Sequence, residues 1–454
     1  MSGDKNMLFT NKELSGIIIP LLVEQILGVT IGMLDTVMVA RAGDAAVSGV
    51  SLVDSVNLLM VYVFTALASG GAVTISQLLG ANDRQYASKA AKQLVWVVFS
   101  VAFILMSAML IFRKGLLRLI FGSIAPDVMS NAQIYFLFTA MSYPFLGLYN
   151  AGAAIFRAMG NSKISMRASL IMNLINLCGN AILIFVFKMG AAGAAIATLF
   201  ARIAGAGIMM YLVHDKKLLV YVEKIFSWRP DFHLIKRICA IGIPNGAENG
   251  MFQFGKVITQ SLISSFGTVQ IAANAAASGL SSIQYTPGGA LGIAMIIVVG
   301  RCVGALESEQ AKKYARKLLC TAYIIVALLS LTMAVFSKQL VGLYGLSAES
   351  TALAQKLFIL HCVSVSTVHP VAFCLTNSFR AANDVRFTML CSIISMWVFR
   401  VGLSYVFGKY MGLGVMGVWC AMVCDWIFRA AIFGTRFLRG TWLTKYKSLN
   451  RSDT

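Results

Sequence analysis

The residues of this sequence with chemistry to do are ionisable side chains inside long apolar runs. Glu24, Asp35, Asp54, Arg202, Glu248, Lys256, Arg400, Asp425 and Arg429 all lie there, and His361 and His369 join them as titratable groups. Within a membrane helix such a charge costs about 2.5–3.5 kcal/mol at mid-span, so it needs a partner, a water-filled cavity or a task. They form no catalytic constellation: there is no nucleophile elbow, no GxxxxGK[ST] phosphate loop and no HExxH pair. The chemistry on offer is ion pairing and the binding of protons or cations. A nucleotide-driven pump is not expected from this chain alone.

Pro20 precedes Asp35 by fifteen residues in the first apolar run. Proline removes a backbone hydrogen bond and kinks a helix. A helix with both residues can bend differently once the carboxylate is protonated or neutralised by a cation. In the plainer alternative, Asp35 caps the helix end or pairs with Arg41. Asn173, Asn176 and Asn180 recur at spacings of three and four, hence on one helix face. Their amides suit cation coordination, a hydrogen bond to a carboxyl group, or adhesion between helices.

Glu24 and Glu248 each follow a proline, Pro20 and Pro244, by one turn. Such duplicated carboxylates either mark two related cavity positions or hold the cytoplasmic end of a helix. Lys256 lies two turns beyond Glu248 and either neutralises it through water or faces a cavity separately. Asp425 and Arg429 have the i,i+4 spacing of an ion pair and, with Arg400, are expected to form a structural charge cluster. His361 and His369 either relay protons or pack. Sequence assigns no partner to Arg202 or Asp54.

Composition sets the frame that must position these groups. Of 454 residues 58% are hydrophobic and only 12% charged, with a mean hydropathy of +0.78. Soluble chains carry about 25% charged residues, so a water-soluble enzyme and a disordered protein are excluded. The net charge of +20 sits in short gaps between apolar runs, which does not make a nucleic-acid-binding face. The nine cysteines are scattered singly without a CxxC; even Cys420 and Cys424, one turn apart, are expected to pack rather than bind metal. The polar start runs into an apolar stretch without a small-residue cleavage site, as in a retained first span.

A spanning helix needs about 20 mostly apolar residues. Spans are expected near 14–40, 46–78, 93–112, 130–156, 167–187, 191–213, 238–264, 269–299, 318–337, 350–378, 387–407 and 413–435. One set of intervening segments holds 26 Lys and Arg, the alternate set seven. The positive-inside rule then places both termini and the long 214–237 segment in the cytoplasm. That segment mixes basic and aromatic residues, as a lipid- or calmodulin-binding helix would; a linker lying on the anionic inner leaflet is the simpler expectation.

The two halves are related. A shift of 224 lays Ile241–Asn249 over Ile17–Gln25, pairing Pro20 with Pro244 and Glu24 with Glu248. It also pairs Gly43 with Gly267, Gly193 with Gly417, and Leu78–Lys92 with Cys302–Arg316, while FRAMGNSK (from Phe156) faces FRAANDVR (from Phe379) at 223. Six spans per repeat give both halves the same topology, related by an axis along the membrane normal. The expected fold is an all-α polytopic membrane protein of twelve helices: two pseudo-symmetric six-helix bundles around a central cavity. The expected divisions are a 1–213 lobe, a 214–237 linker, a 238–435 lobe and a 436–454 basic tail.

The sequence resembles the multidrug and toxic compound extrusion (MATE) family over essentially its whole length. The resemblance is carried by PLLVEQILGVTIGMLDTVMVARAGDAAVSGVSL (Pro20 to Leu52), FRAMGNSK, NLINLCGNAILIF (Asn173 to Phe185), GAAGAAIAT (Gly190 to Thr198) and the second-half echo from Ile243. It implies an antiporter that exchanges organic, often cationic, compounds for H⁺ or Na⁺ and sits in a bacterial inner membrane; no cofactor is expected, and a chain whose two bundles enclose a cavity is expected to work as a monomer. Asp35 matches the family's first-helix carboxylate, Asn176 and Asn180 its fifth-helix partners, and Thr198 a sixth-helix threonine. Asn180 stands where many members have Asp, so Asp35 is expected to be the only carboxylate of that site. No acidic residue occupies the tenth helix, which leaves Glu248 as a loose candidate for a second-half site. The nearest rival is a flippase or exporter of lipid-linked sugars or polysaccharide with a related fold. A membrane-embedded enzyme or sensor would need clustered polar residues at a membrane face or an appended soluble domain.

Overall fold

The computed structural model describes residues 7–41, 43–122, 125–223, 227 and 229–444, and among them there is no strand. The chain runs through α1 (Asn11–Ala40), α2 (Asp44–Gly80), α3 (Arg84–Phe121), α4 (Pro126–Met141), α5 (Tyr143–Ala158), α6 (Ser162–Asn180) and α7 (Gly190–Val213). After α8 (Phe232–Ser264) come α9 (Thr268–Gly304), α10 (Ser308–Val335), the short α11 (Ser337–Gly342), α12 (Ala348–Thr367), α13 (Thr376–Ala381), α14 (Val385–Ile394) and α15 (Gly414–Arg439). Wide π turns extend α6 through Ala181–Val186 and α14 through Ser395–Gly402 and Tyr405–Tyr410.

The repeat inferred from sequence is written into the backbone. α2 and α9 are each 37 residues long and start 224 apart, at Asp44 and Thr268. Each is preceded by a glycine with φ near +100°, Gly43 at 102° and Gly267 at 96°. With ψ of 162° and 167° these lie in a region that only glycine occupies without strain, so the paired glycines set the start of both helices. α3 and α10 begin at the same offset; the Asp83 side chain caps α3 by accepting from the Tyr86 N–H at 2.9 Å.

Among the described residues nine helices are long and apolar enough to span a bilayer alone, and ten if the bent α12–α13 pair is one span. The count falls short of the twelve expected spans because two of them are broken or diluted. The run at 130–156 is split at Ser142 into α4 and α5 of 16 residues each. α8 carries Asn245, Glu248, Asn249 and Lys256 along its length. The break that divides the tenth span is a 60° bend at Pro370; Pro20 and Pro244, expected to bend their helices, lie inside the continuous α1 and α8. α3 and α10 start nine or ten residues before their apolar runs, because their first turns, rich in Lys and Arg, are amphipathic rather than apolar.

Two compact units emerge, Asn11–Gly246 and Ala247–Thr454 with Met1–Thr10. In the first, α2 packs on α3, α4 and α5, and α6 lies between α1 and α7; its core gathers Val53, Phe64, Phe136 and Tyr143. In the second, α9 packs on α10, α12 and α13 around Leu357, Phe358, Trp419 and Trp426. This partition differs from the one expected at 213 and 238. The first turns of α8 stay with the first unit: a Cβ on Gly70 would lie 2.4 Å from the Ile238 carbonyl oxygen, so α2 and α8 meet backbone to backbone. Residues 7–10 join the second unit, where the Tyr314 hydroxyl accepts from the Phe9 N–H at 2.9 Å and donates to its carbonyl at 2.7 Å. Hydropathy marks where apolar runs begin, not which bundle they pack on. Of the expected linker, Lys224, Ile225, Phe226 and Trp228 lie outside the described residues, as does the tail from 445. Residues 214–223 form turns rather than a helix, with Val220 and Val222 buried.

Candidate functional site

Asp35 stands near the end of α1, beside α6. Asn180 donates to its Oδ1 at 2.9 Å. In the orientation that satisfies both ends of its amide, Asn176 donates to Oδ2 at 2.8 Å and Oδ1 at 3.0 Å, while its carbonyl oxygen accepts from the Thr198 hydroxyl at 3.2 Å. Asn176 and Asn180 are buried, and their spacing on α6 aims both at one carboxylate. The four residues expected to form the cation site therefore come together. Asn173, on the same face, turns to the Ser169 hydroxyl at 3.3 Å.

A cavity of about 340 Å³ opens onto this carboxylate, and Asp35, Asp54, Asn176, Asn180, Thr198 and Arg202 are among its walls. Asp54 corrects the expectation that Asp35 is the site's only carboxylate. Its Oδ1 accepts from the Tyr135 hydroxyl at 3.0 Å and from the Asn57 amide at 3.2 Å, and Tyr143 holds Asn57 in turn at 2.8 Å. Arg202 donates to the Ser142 hydroxyl at 2.6 Å, at the break between α4 and α5. Two carboxylates and one guanidinium leave this cavity acidic when both acids are ionised. Sequence reasoning had Asp54 and Arg202 in hand but no signal for their shared location.

The duplicated glutamates are internal ties. Glu24 is ion-paired with Arg157 and accepts from Ser165 at 3.0 Å; Glu248 is ion-paired with Arg380 at 2.8 Å and accepts from Ser392 at 2.8 Å. Both glutamates are buried, so neither faces a cavity with a free carboxylate, and the direct ion-pair partner of Glu248 is Arg380 rather than Lys256. The two arginines are those of the FRAMGNSK and FRAANDVR echoes, which is the signal that could have paired them.

In the second unit His361 and His369 are packed rather than poised as a relay. His361 Nδ1 meets Gln284 Oε1 at 2.5 Å and Nε2 meets the Tyr285 hydroxyl at 2.8 Å. His369 stacks on Phe373 at 4.6 Å between ring centres and meets Trp426 edge-on at 5.2 Å. The expected charge cluster forms: Arg429 Nε donates to Asp425 Oδ1 at 2.9 Å, and Arg400 lies 3.8 Å from Asp425 Oδ2. Lys256 rests 6.0 Å from the centre of the Phe252 ring. Among the described residues no group of three or more His, Cys, Asp or Glu could hold a metal ion.

Helices that cross a membrane, a duplicated bundle and a polar cavity within one repeat define a multi-pass membrane transporter. The MatE family model matches residues 20–182 and 244–406, one copy in each half, and the chain belongs to this family. It is 27% identical to the uncharacterized transporter YisQ of Bacillus subtilis, over 94% of each chain. To the probable multidrug resistance protein NorM of Thermotoga maritima it is 24% identical, over 95% of this chain and 93% of that one. The fold matches that of an outward-facing multidrug resistance MATE family transporter of the MOP superfamily at a TM-score of 0.88 and 19% identity, covering 97% and 96% of the two chains. The protein is thus a membrane transporter of the MatE family, not an enzyme.

Proposed function

We propose that this chain is a secondary antiporter that exports organic, mostly cationic and amphiphilic compounds in exchange for H⁺ or Na⁺, with Asp35 as the coupling carboxylate. The observation that carries the reading is the convergence of Asn176 and Asn180 on Asp35 within the acidic cavity. As a free carboxylate, Asp35 accepts amide N–H groups from both asparagines. A proton on the carboxylate turns one acceptor oxygen into a hydroxyl donor and weakens the hydrogen bonds to the other, and Na⁺ asks for oxygen ligands, which Thr198 and a turned Asn176 amide supply. Hydrogen bonds to a charged group are worth about 1.5–3 kcal/mol each. Exchanging two of them is enough to bias a two-state equilibrium strongly.

Exchange requires the coupling ion and the substrate to disfavour one another. An organic cation is drawn by the ionised pair Asp35 and Asp54, and neutralising Asp35 halves that attraction. Alternating access then follows: cation binding from outside releases substrate outward, and cation loss to the cytoplasm resets the cycle. The Lys and Arg distribution supports both termini facing the cytoplasm of a bacterial inner membrane, and one chain carries a complete duplicated bundle, in keeping with a monomeric unit.

The test is transport of a fluorescent organic cation in proteoliposomes under an imposed H⁺ or Na⁺ gradient, with Asp35→Asn alongside. Uptake driven by one gradient and lost in the variant is expected and names the ion. Normal gradient dependence in Asp35→Asn would overturn the assignment. No dye movement under either gradient would favour an anionic or lipid-linked substrate.

A further inference from the structure

The charged groups among the walls of the first unit's cavity are Asp35, Asp54 and Arg202. Each is fixed by neutral partners. Asp35 takes the amides of Asn176 and Asn180, and Asp54 takes the Tyr135 hydroxyl and the Asn57 amide. Among the described residues the Arg202 guanidinium hydrogen-bonds to the Ser142 hydroxyl, at 2.6 Å, and to neither acid. That hydroxyl donates its own proton to the Thr139 carbonyl at 2.6 Å, which leaves a lone pair facing the guanidinium. The break between α4 and α5 thus anchors the one cation of the cavity wall without pairing it to a carboxylate.

The fold does not ask for these charges. α2 and α9 start 224 residues apart, and so do α7 and α15. That offset lays Arg202 on Trp426 and Asp54 on Ser278. The second half therefore builds the matching helices with uncharged side chains at both positions. Taking a guanidinium out of water carries a desolvation cost, and here it falls on one repeat alone. Arg202 serves the cavity it lines rather than the packing of α7.

With both acids ionised, the walls sum to one negative charge. We infer that Arg202 is a specificity-determining residue: a tethered cation that offsets one of the two carboxylates, limits the cavity to one positive charge at a time, and so selects singly over doubly charged organic cations. This rests on the export of organic cations proposed above and adds the valence that the site accepts. A second positive charge on the bound compound meets Arg202 with no carboxylate left to balance it. At an effective dielectric constant of about 20 and a separation of roughly 10 Å, that repulsion weakens binding about ten-fold.

The test is equilibrium binding of ethidium and propidium to the purified full-length protein in phosphatidylcholine nanodiscs, followed by dye fluorescence anisotropy. The two dyes share one phenanthridinium ring system and carry one and two positive charges. Arg202→Gln is expected to raise propidium affinity relative to ethidium about ten-fold over wild type, whereas Arg202→Lys, which keeps the charge, holds the wild-type ratio. Adding Asp54→Asn to Arg202→Gln returns the walls to one negative charge, so the ratio should return with it. A ratio unmoved by Arg202→Gln, or moved equally by Arg202→Lys and the double variant, would overturn the inference and leave the efflux reading standing. Should Arg202→Gln not fold, Asp54→Asn alone decides: it makes the walls neutral and should weaken ethidium about ten-fold, and unchanged affinity would overturn the inference. If wild type binds neither dye, the organic-cation reading itself fails, and this inference with it.

Discussion

Replacing Arg157 by methionine isolates the worth of one buried tie. The substitution keeps most of the apolar stem but leaves Glu24, which is 6% exposed, with the Ser165 hydroxyl at 3.0 Å as its remaining donor among the contacts described. Removing one partner of a buried ion pair costs about 3–5 kcal/mol, because the other charge stays desolvated. Glu24→Gln with Arg157→Met removes both charges, and the Ser165 hydrogen bond survives to an amide oxygen. The double variant should therefore lose only about 1 kcal/mol, the scale of a neutral hydrogen bond. For units of this size about 1 kcal/mol shifts the melting temperature by roughly 2–4 °C. The single variant should melt roughly 6–20 °C lower and the double variant within about 4 °C of wild type, by fluorescence of detergent-purified protein. The same cycle at Glu248 and Arg380 should repeat the pattern. If Arg157→Met melts like wild type, or the double variant falls as far as the single one, the tie is not what holds Glu24 in the interior.

Asn180→Asp places a second carboxylate at Asp35 and should raise apparent Na⁺ affinity about ten-fold or more, read from the Na⁺ dependence of dye efflux. Asn176→Leu removes a donor to Asp35 and should cost about 1.5–3 kcal/mol in cation-coupled transport, measured as loss of gradient-driven uptake at unchanged protein content. Gly267→Ala forces a side chain into backbone space only glycine occupies freely and should destabilise by about 1–3 kcal/mol; a melting temperature equal to wild type would contradict the reading of the paired glycines. Tyr314→Phe removes both hydrogen bonds to Phe9 and should speed protease cleavage near residues 7–10 several-fold, with the rest of the chain intact.

The parts legible in the sequence were those governed by local pattern. Apolar runs, the 224-residue offset and the two glycines of positive φ are each expressed within a few neighbouring residues, and all reappear in the helices. Asp35, Asn176, Asn180 and Thr198 were brought together by family resemblance, and the spacing of the asparagines already put them on one face. What stayed hidden depends on distant pairing. Asp54 reaches the same cavity through Tyr135, 81 residues away, and nothing around it in sequence signals that. Arg157 and Arg380 were counted among loop charges because they end their helices, while their partners lie more than 130 residues earlier. The bend at Pro370 was overlooked because its flanks are as apolar as a continuous span. His361 and His369 acquire their aromatic surroundings from α9, α12 and α15 together, which no single stretch reveals.

The two glutamate–arginine ties bear on how the chain is made. Glu24 and Arg157 are separated by 133 residues and Glu248 and Arg380 by 132. At synthesis rates of roughly 5–20 residues per second, each glutamate waits about 7–27 s before its arginine emerges from the ribosome. During that interval the carboxylate belongs to a helix offered to the lipid without its counter-ion, at a cost of about 2.5–3.5 kcal/mol. α1 and α8 are therefore the segments that must linger at the insertion machinery, or at the bilayer surface, until α5 and α13 arrive. Because the interval is nearly the same in both halves, biogenesis pauses twice on the same clock, and each repeat closes its first helix into place only as its fourth span is delivered.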